Sequence, residues 1–118
     1  MKAPKIYSDC YQAAIQVFHR TKNFPKALRP TLGRKIEEAS LSCLVSVRKA
    51  SVSSPHQRIR YLYTASDALD ELRTLIQFAK DLNAINVAGF SEVSEATQEI
   101  GRELGGFIKH ELRNKAVD

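Results

Sequence analysis

Basic side chains in the first half of the chain are the residues best suited to chemistry, and that chemistry is the binding of phosphate groups. Residues 1–60 contain twelve Lys and Arg against three Asp and Glu, a net charge of +9, whereas residues 61–118 carry −4. This split predicts a basic side and a mildly acidic side, and a basic side suits a polyanion such as nucleic acid. The alternative is a solvated surface with uneven charge. The candidate phosphate contacts are Arg20, Lys22, Lys26, Arg29, Arg34, Lys35, Arg48, Lys49, Arg58 and Arg60.

Few aromatic residues accompany these cations, and Tyr61 and Tyr63 are the nearest. Stacking of bases on aromatic rings is therefore poorly supported, and contacts to backbone phosphates are favoured. Binding of this kind tolerates any sequence and weakens as salt is added.

Catalytic and metal-binding patterns are missing. A di-metal site in a helical bundle needs Glu-x-x-His motifs, but the residues three positions before His19, His56 and His110 are Gln, Ser and Phe. Gly33-Arg34-Lys35 has no glycine five positions upstream, so it is not a phosphate-binding glycine loop. The sequence predicts a protein that is not an enzyme and has no metal and no cofactor.

Two cysteines, Cys10 and Cys43, fall on apolar helix faces. Buried, reduced thiols in a cytoplasmic protein are the favoured interpretation, and a disulfide between the first two helices is the alternative. The N-terminus has no apolar run of a signal peptide, and no segment approaches the roughly 20 apolar residues of a membrane span.

Four helices must position the basic residues, and the third is the spine. It opens with Ser54-Pro55, a cap followed by a proline at the first helical position, and runs to about Asn83, a length of about 40 Å. Its apolar seam has alternating spacings of three and four. The seam residues are Leu62, Ala65, Leu69, Leu72, Ile76 and Ala79.

The other helices show similar patterns. We expect helix 1 from Ile6–Ser8 to Arg20–Asn23, helix 2 from Pro30 to about Ser51, and helix 4 from an N-cap at Ser91 to about Asn114, after an apolar loop over residues 84–90. A start of helix 2 at Pro25 is the alternative. Helix 2 is apolar on several sides, which predicts neighbours on more than one side. Its seam is Leu32, Ile36, Ala39, Cys43, Val47 and Ala50, whereas Leu41, Leu44 and Val45 lie elsewhere; the helix 1 face is Tyr7, Cys10, Tyr11, Ala14, Val17 and Phe18.

The predicted fold is all-α, a single antiparallel up-down-up-down four-helix bundle over residues 1–118, with short flexible ends at about 1–5 and 114–118. In this topology the basic residues between helices 1 and 2 lie beside the 84–90 loop.

Glycines in helix 4 are unusual because each costs about 0.5–1 kcal/mol relative to alanine. Gly101 and Gly105 are four residues apart and form a smooth strip for close packing, either within the bundle or between subunits.

Three segments carry a family resemblance: Phe24-Pro25-Lys26 with Leu32-Gly33, the stretch from Leu62 to Arg73, and Glu99-Ile100-Gly101-Arg102-Glu103-Leu104-Gly105-Gly106-Phe107-Ile108-Lys109. This pattern resembles the accessory variability determinant (Avd) proteins of diversity-generating retroelements. It is also similar to their relatives, the four-helix proteins encoded in intervening sequences of 23S rRNA genes.

The resemblance implies a non-catalytic four-helix protomer that assembles into a pentameric ring-like barrel. It implies binding to a reverse transcriptase and to RNA or DNA during mutagenic copying of a template repeat. It places an aromatic residue, here Phe107, after the paired small residues, so we assign Gly101, Gly105 and Phe107 to subunit packing. The alternative is a scaffold of the intervening-sequence type that mediates protein–protein contacts without a nucleic-acid ligand.

Overall fold

Four α-helices account for most of the chain in the computed structural model, which describes residues 4–117 and their side chains up to Asn114. They are α1 (Lys5–Thr21), α2 (Arg34–Val52), α3 (Pro55–Asp81) and α4 (Val87–Val117), and no strand occurs within residues 4–117. The prediction of an all-α, four-helix chain is confirmed. Of the predicted flexible ends, residues 1–3 and 118 lie outside the described residues. Lys5 already belongs to α1, and α4 continues to Val117.

The spine forms as its sequence indicates. Ser54 is the N-cap of α3 in an extended conformation, and Pro55 is the first helical residue. All six predicted seam residues are buried. The helix ends two residues earlier than expected, because Asn83 adopts a left-handed conformation with φ of 59° and terminates the helical path.

The entry to α2 differs from the prediction. The chain forms a 3₁₀ turn at Lys26–Leu28 and then a π turn at Arg29–Gly33, so the regular α-helix begins at Arg34 and not at Pro30. Pro30 has no N–H to donate and its ring crowds the preceding turn, and a wider π turn accommodates both. The predicted seam of helix 2 is nevertheless buried along its whole length.

The start of α4 also differs. The helix begins at Val87 because the Asn86 side chain accepts a hydrogen bond from the Gly89 N–H at 2.7 Å, which is the geometry of an N-cap. Ser91 is therefore inside the helix. Only residues 82–86 remain as a connection, and within it Ala84 and Ile85 are buried against the end of the bundle.

The helices pack in cyclic order, α1 on α2, α2 on α3, α3 on α4 and α4 on α1. The core has two apolar clusters along the 51 Å length of the molecule, one around Cys43, Leu62 and Ile100, the other around Phe24, Ile36 and Ile76. Two residues of the predicted α1 face are not part of this core: Tyr11 and Phe18 are 48% and 38% exposed. Both side chains line the groove between α1 and α2 on the outside of the bundle.

Candidate nucleic-acid interface

The predicted basic residues lie at the two ends of α2. The α1–α2 end (residues 20–35) contains six of them and the α2–α3 end (residues 48–60) contains four. Arg34 and Arg48 are 14 residues apart in one helix, which separates the two groups by about 21 Å along its axis. The cations thus form two groups, one at each end of α2.

Three arginines of the α1–α2 end have partners within the chain. Arg20 is half-buried and forms an ion pair with Glu92 of α4. Arg34 pairs with Glu38 one turn later, at 3.1 Å, and both side chains are exposed. Arg29 donates from Nε to the carbonyl oxygen of Phe24 at 2.9 Å, which holds the π turn against the end of α1. Arg20 therefore joins α1 to α4, as expected for basic residues that lie beside the start of α4.

Four cations at the same end have no acidic partner. Lys22, Lys26, Arg29 and Lys35 are exposed, and among residues 4–114 no carboxylate oxygen lies within 4.0 Å of their charged nitrogens. Positive charge that is not neutralised within the protomer is available to an external anion.

At the α2–α3 end, cations lie over tyrosine rings. Arg48 is 5.8 Å from the centre of the Tyr7 ring, and Lys49 and Arg60 are 5.9 Å and 5.0 Å from that of Tyr61. Such contacts orient the cations without removing their charge. Sequence reasoning identified Tyr61 but not Tyr7, which is 41 positions before Arg48 and meets it only through the packing of α1 on α2.

Arg58 has a structural role. It donates from Nε to the carbonyl oxygen of Ala50 and from Nη2 to that of Ser53, both at 3.1 Å, and from Nη1 to Glu111 at 3.2 Å. The carbonyl groups belong to the C-terminal end of α2, where positive charge is favourable. Glu111 is buried, so Arg58 joins three helices and is a poor candidate for contact with a ligand.

An acidic cluster that the sequence analysis missed lies between α1 and α4. Lys5 Nζ is 2.8 Å from Asp9, 3.1 Å from Glu103 and 3.6 Å from Glu99. Burial and a hydrogen bond with Asp9 raise the pKa of Glu103, and the same hydrogen bond, with help from Lys5, lowers the pKa of Asp9. The spacing of Lys5 and Asp9, four residues in one helix, was the available signal. Lys5 is therefore neutralised and does not extend the basic surface.

The residues predicted to pack subunits divide between two environments. A Cβ at Gly101 would lie 3.6 Å from Leu69 of α3, and Phe107 is half-buried against the core, so both contact their own protomer. A Cβ at Gly105 would meet no atom within 4 Å. Gly105 therefore leaves a smooth, open position on α4.

The two cysteines are buried and reduced, with their sulfur atoms 4.0 Å apart. A hydrogen bond with Cys43, together with burial, raises the pKa of Cys10 and disfavours the reactive thiolate. Within the described part of the chain, no group of three His, Cys, Asp or Glu residues is arranged to hold a metal ion. No described helix is long and apolar enough to cross a membrane.

Comparison with known proteins identifies the family. No curated protein matches the chain. A family model described as bAvd-like matches residues 6–111, from the first turn of α1 to within α4, and this range includes both basic ends. Avd-type proteins are accessory, non-catalytic components of diversity-generating retroelements. The chain therefore belongs to the bAvd-like family.

Proposed function

We propose that this protein is the non-enzymatic accessory factor of a diversity-generating retroelement, and that it binds the reverse transcriptase and nucleic acid through its basic surface. The nucleic acid is the template RNA or the cDNA copied from it. The observation that carries the proposal is the group of four exposed cations at the α1–α2 end without acidic partners, in a chain of this family. The proposed assembly is a cytoplasmic homo-oligomer, a pentameric ring as the resemblance implies.

The arrangement of the helices supports this use of the basic residues. Contacts between Cys10 and Cys43 and between Thr21 and Glu37 favour antiparallel packing of α1 and α2. The pairs Lys5–Glu103 and Arg20–Glu92 favour the same for α1 and α4. An antiparallel bundle brings the connections 22–33 and 82–86 to one end, and the unpaired cations lie in the first of these connections or in the first turn of α2.

Phosphate contacts make binding depend on salt, which provides the test. Each contact with single-stranded nucleic acid contributes about −0.7 to the slope of log affinity against log salt concentration. Replacing Lys22, Lys26 and Lys35 by Ala should therefore reduce the magnitude of that slope by about 2 for a single-stranded RNA. Fluorescence anisotropy at several salt concentrations measures it.

A charge-matched control separates local contacts from net charge. The variant with Arg73, Lys109 and Arg113 replaced by Ala also loses three exposed cations, but these lie on α3 and α4. The proposal expects it to retain most of the wild-type slope. Equal losses in the two triple variants would contradict a specific surface, and a flat salt response of the wild type would favour the protein-interaction scaffold.

Binding to the reverse transcriptase needs its own measurement. The polymerase encoded beside the gene for this chain should copurify with it after nuclease treatment, and a repeated template should lie in the same locus. Failure to copurify at low salt would remove the polymerase from the proposal and leave the nucleic-acid contact in place.

A further inference from the structure

The groove between α1 and α2 is lined mainly by large apolar side chains and has a volume of about 330 Å³. Tyr11, Ile15 and Phe18 line it from α1, and Leu41 lines it from α2. All four side chains are between 38% and 48% exposed. An apolar surface that the protomer leaves open to solvent suits a ligand that brings apolar surface of its own.

Two aromatic rings lie in this groove, one on each side of Ile15. Tyr11, Ile15 and Phe18 follow one another at spacings of four and three residues, so they share one face of α1. Seven residues of helix separate the two rings by about 10 Å along the axis. The sequence pattern placed both rings on the buried face of helix 1, and their exposure became visible only in the fold. An exposed ring can stack a nucleobase of any kind.

A cation lies at each end of the groove. Lys22 is one helical turn beyond Phe18, and among residues 4–114 no carboxylate oxygen lies within 4.0 Å of its amino group. At the other end, Arg48 is 5.8 Å from the centre of the Tyr7 ring, which is itself 6.2 Å from the centre of the Tyr11 ring. Tyr7 and Lys22 are 15 residues apart, so the two cations are separated by about 22 Å along α1. A strand whose bases stack in the groove thus meets positive charge on either side of them.

The carboxylates near the groove are engaged within the protomer. Glu37 accepts a hydrogen bond from the Thr21 hydroxyl group, and Glu38 pairs with Arg34 at 3.1 Å. At the other end, no carboxylate oxygen among residues 4–114 lies within 4.0 Å of the Arg48 guanidinium group. Unpaired positive charge at the ends and aromatic rings between them favour a polyanion with flat bases over an acidic protein helix.

We infer that the α1–α2 groove binds single-stranded nucleic acid, with bases stacked on Tyr11 and Phe18 and phosphates at Lys22 and Arg48. The strand must be single because the bases of a duplex are already stacked and paired, and cannot reach the rings. This inference rests on the nucleic-acid binding in the proposed function. It specifies the form of the ligand and adds a contribution to affinity that does not depend on phosphate contacts.

Two probes that differ only in their bases test the wild type. They are an oligothymidylate of about 15 nucleotides and an abasic deoxyribose-phosphate strand of the same length. The oligothymidylate should bind at least about tenfold more tightly, which is the order of magnitude of one stacked base, in fluorescence anisotropy at a fixed salt concentration. Equal affinities would overturn the inference and leave the phosphate contacts of the proposed function in place, whereas absence of binding to either probe would remove both.

Replacing both rings by leucine removes the stacking but retains apolar surface. The double variant of Tyr11→Leu with Phe18→Leu should bind the two probes equally, with the salt slope of the wild type. Tyr63→Leu with Phe78→Leu is the matched control, because these rings are 47% and 53% exposed but lie on α3. It should retain the preference for the oligothymidylate. A preference that persists in the groove variant, or is lost in the control, would overturn the inference.

Two further measurements separate nucleic acid from other occupants of the groove. The groove variant should sediment as the wild type does, and conversion of an oligomer to a monomer of 13.2 kDa would assign the groove to a second copy of the chain. The variant should also retain any copurification with the polymerase, and loss of copurification with an unchanged base preference would assign the groove to a protein partner. Either assignment would overturn the inference.

Photocrosslinking provides a test that does not depend on the folding of a variant. A single strand that contains iodouracil, irradiated on the wild-type protein, should form adducts at Tyr11 or Phe18, identified by mass spectrometry of the digested protein. Adducts confined to residues outside the groove would overturn the inference.

Discussion

Replacing Arg58 tests whether a basic residue of the predicted surface stabilises the fold or contacts a ligand. The side chain is 26% exposed and makes two hydrogen bonds to backbone carbonyl groups and one ion pair with Glu111, whose side chain is 9% exposed. Removing one member of a buried pair costs about 3–5 kcal/mol because the remaining charge loses its partner. Partial exposure of Arg58 reduces this cost, so we expect Arg58→Ala to lower the free energy of unfolding by about 3 kcal/mol.

Urea and thermal unfolding measure this loss. For a chain of this size, about 4 °C of Tm corresponds to each kcal/mol, so Tm should fall by about 12 °C. Arg60→Ala is the matched control, because Arg60 is exposed and contacts only Tyr61; its cost should stay within about 1 kcal/mol. The double variant Arg58→Ala with Glu111→Gln should be more stable than Arg58→Ala alone, since no unpartnered carboxylate remains.

Nucleic-acid binding supplies the refuting result. Measured well below its Tm, the Arg58→Ala protein should bind single-stranded RNA with the wild-type salt slope. An Arg58→Ala protein of wild-type stability with a reduced salt slope would show that the guanidinium group contacts phosphate, and the structural role argued from its three hydrogen bonds would be wrong.

Three further predictions concern stability and reactivity. Gly89→Ala should lower the free energy of unfolding in urea by about 1–3 kcal/mol because the added methyl group meets three side chains at 3.0–3.1 Å. Gly105→Ala should raise it by about 0.5–1 kcal/mol because the position is open. Equal effects of the two substitutions on stability would contradict the packing. Cys10 and Cys43 should react with iodoacetamide more than about 100-fold more slowly in the folded than in the unfolded protein, followed by mass spectrometry. The lowered pKa of Asp9 contributes stability that is complete above its ordinary value of 3.8 and is lost as the pH falls below it. Asp9→Asn should therefore lower stability at pH 7 and flatten the acid limb of urea unfolding curves, and an unchanged limb would refute this.

All seam residues predicted for α2 and α3 are buried, because spacings of three and four report directly which side of a helix meets the core. Ser40, Ser46 and Ala68 are buried on the same faces and were not predicted. Helix ends were harder to predict. Asn86 caps α4, but the apolar residues after it, with Gly89 among them, indicated a loop. Pro30 indicated a helix start, although it lies inside the π turn at Arg29–Gly33, which itself follows a 3₁₀ turn at Lys26–Leu28.

For the candidate basic surface, the sequence predicted the positive charge but not the ion pairs that its arginines form within the chain. The exposure of Lys22, Lys26 and Lys35 follows from their residue type, and no carboxylate among residues 4–114 pairs with them. The partners of Arg20 and Arg58 lie 72 and 53 positions away, and local spacing carries no information about such pairs. The neutralisation of Lys5 could not be predicted for the same reason, because two of the three carboxylates near it belong to α4.

The π turn at Arg29–Gly33 uncouples two parts of the chain. A turn of this kind accommodates one residue more than an α-helix needs, so the gain or loss of a residue there leaves the pattern of α2 beyond Arg34 in register. The connection before it, with Lys22 and Lys26, can then rotate by about 100° relative to the helix without disturbing the seam. Homologous chains can accordingly re-aim this cationic tip toward a different ligand by insertion or deletion, while the buried packing of α2 is inherited unchanged.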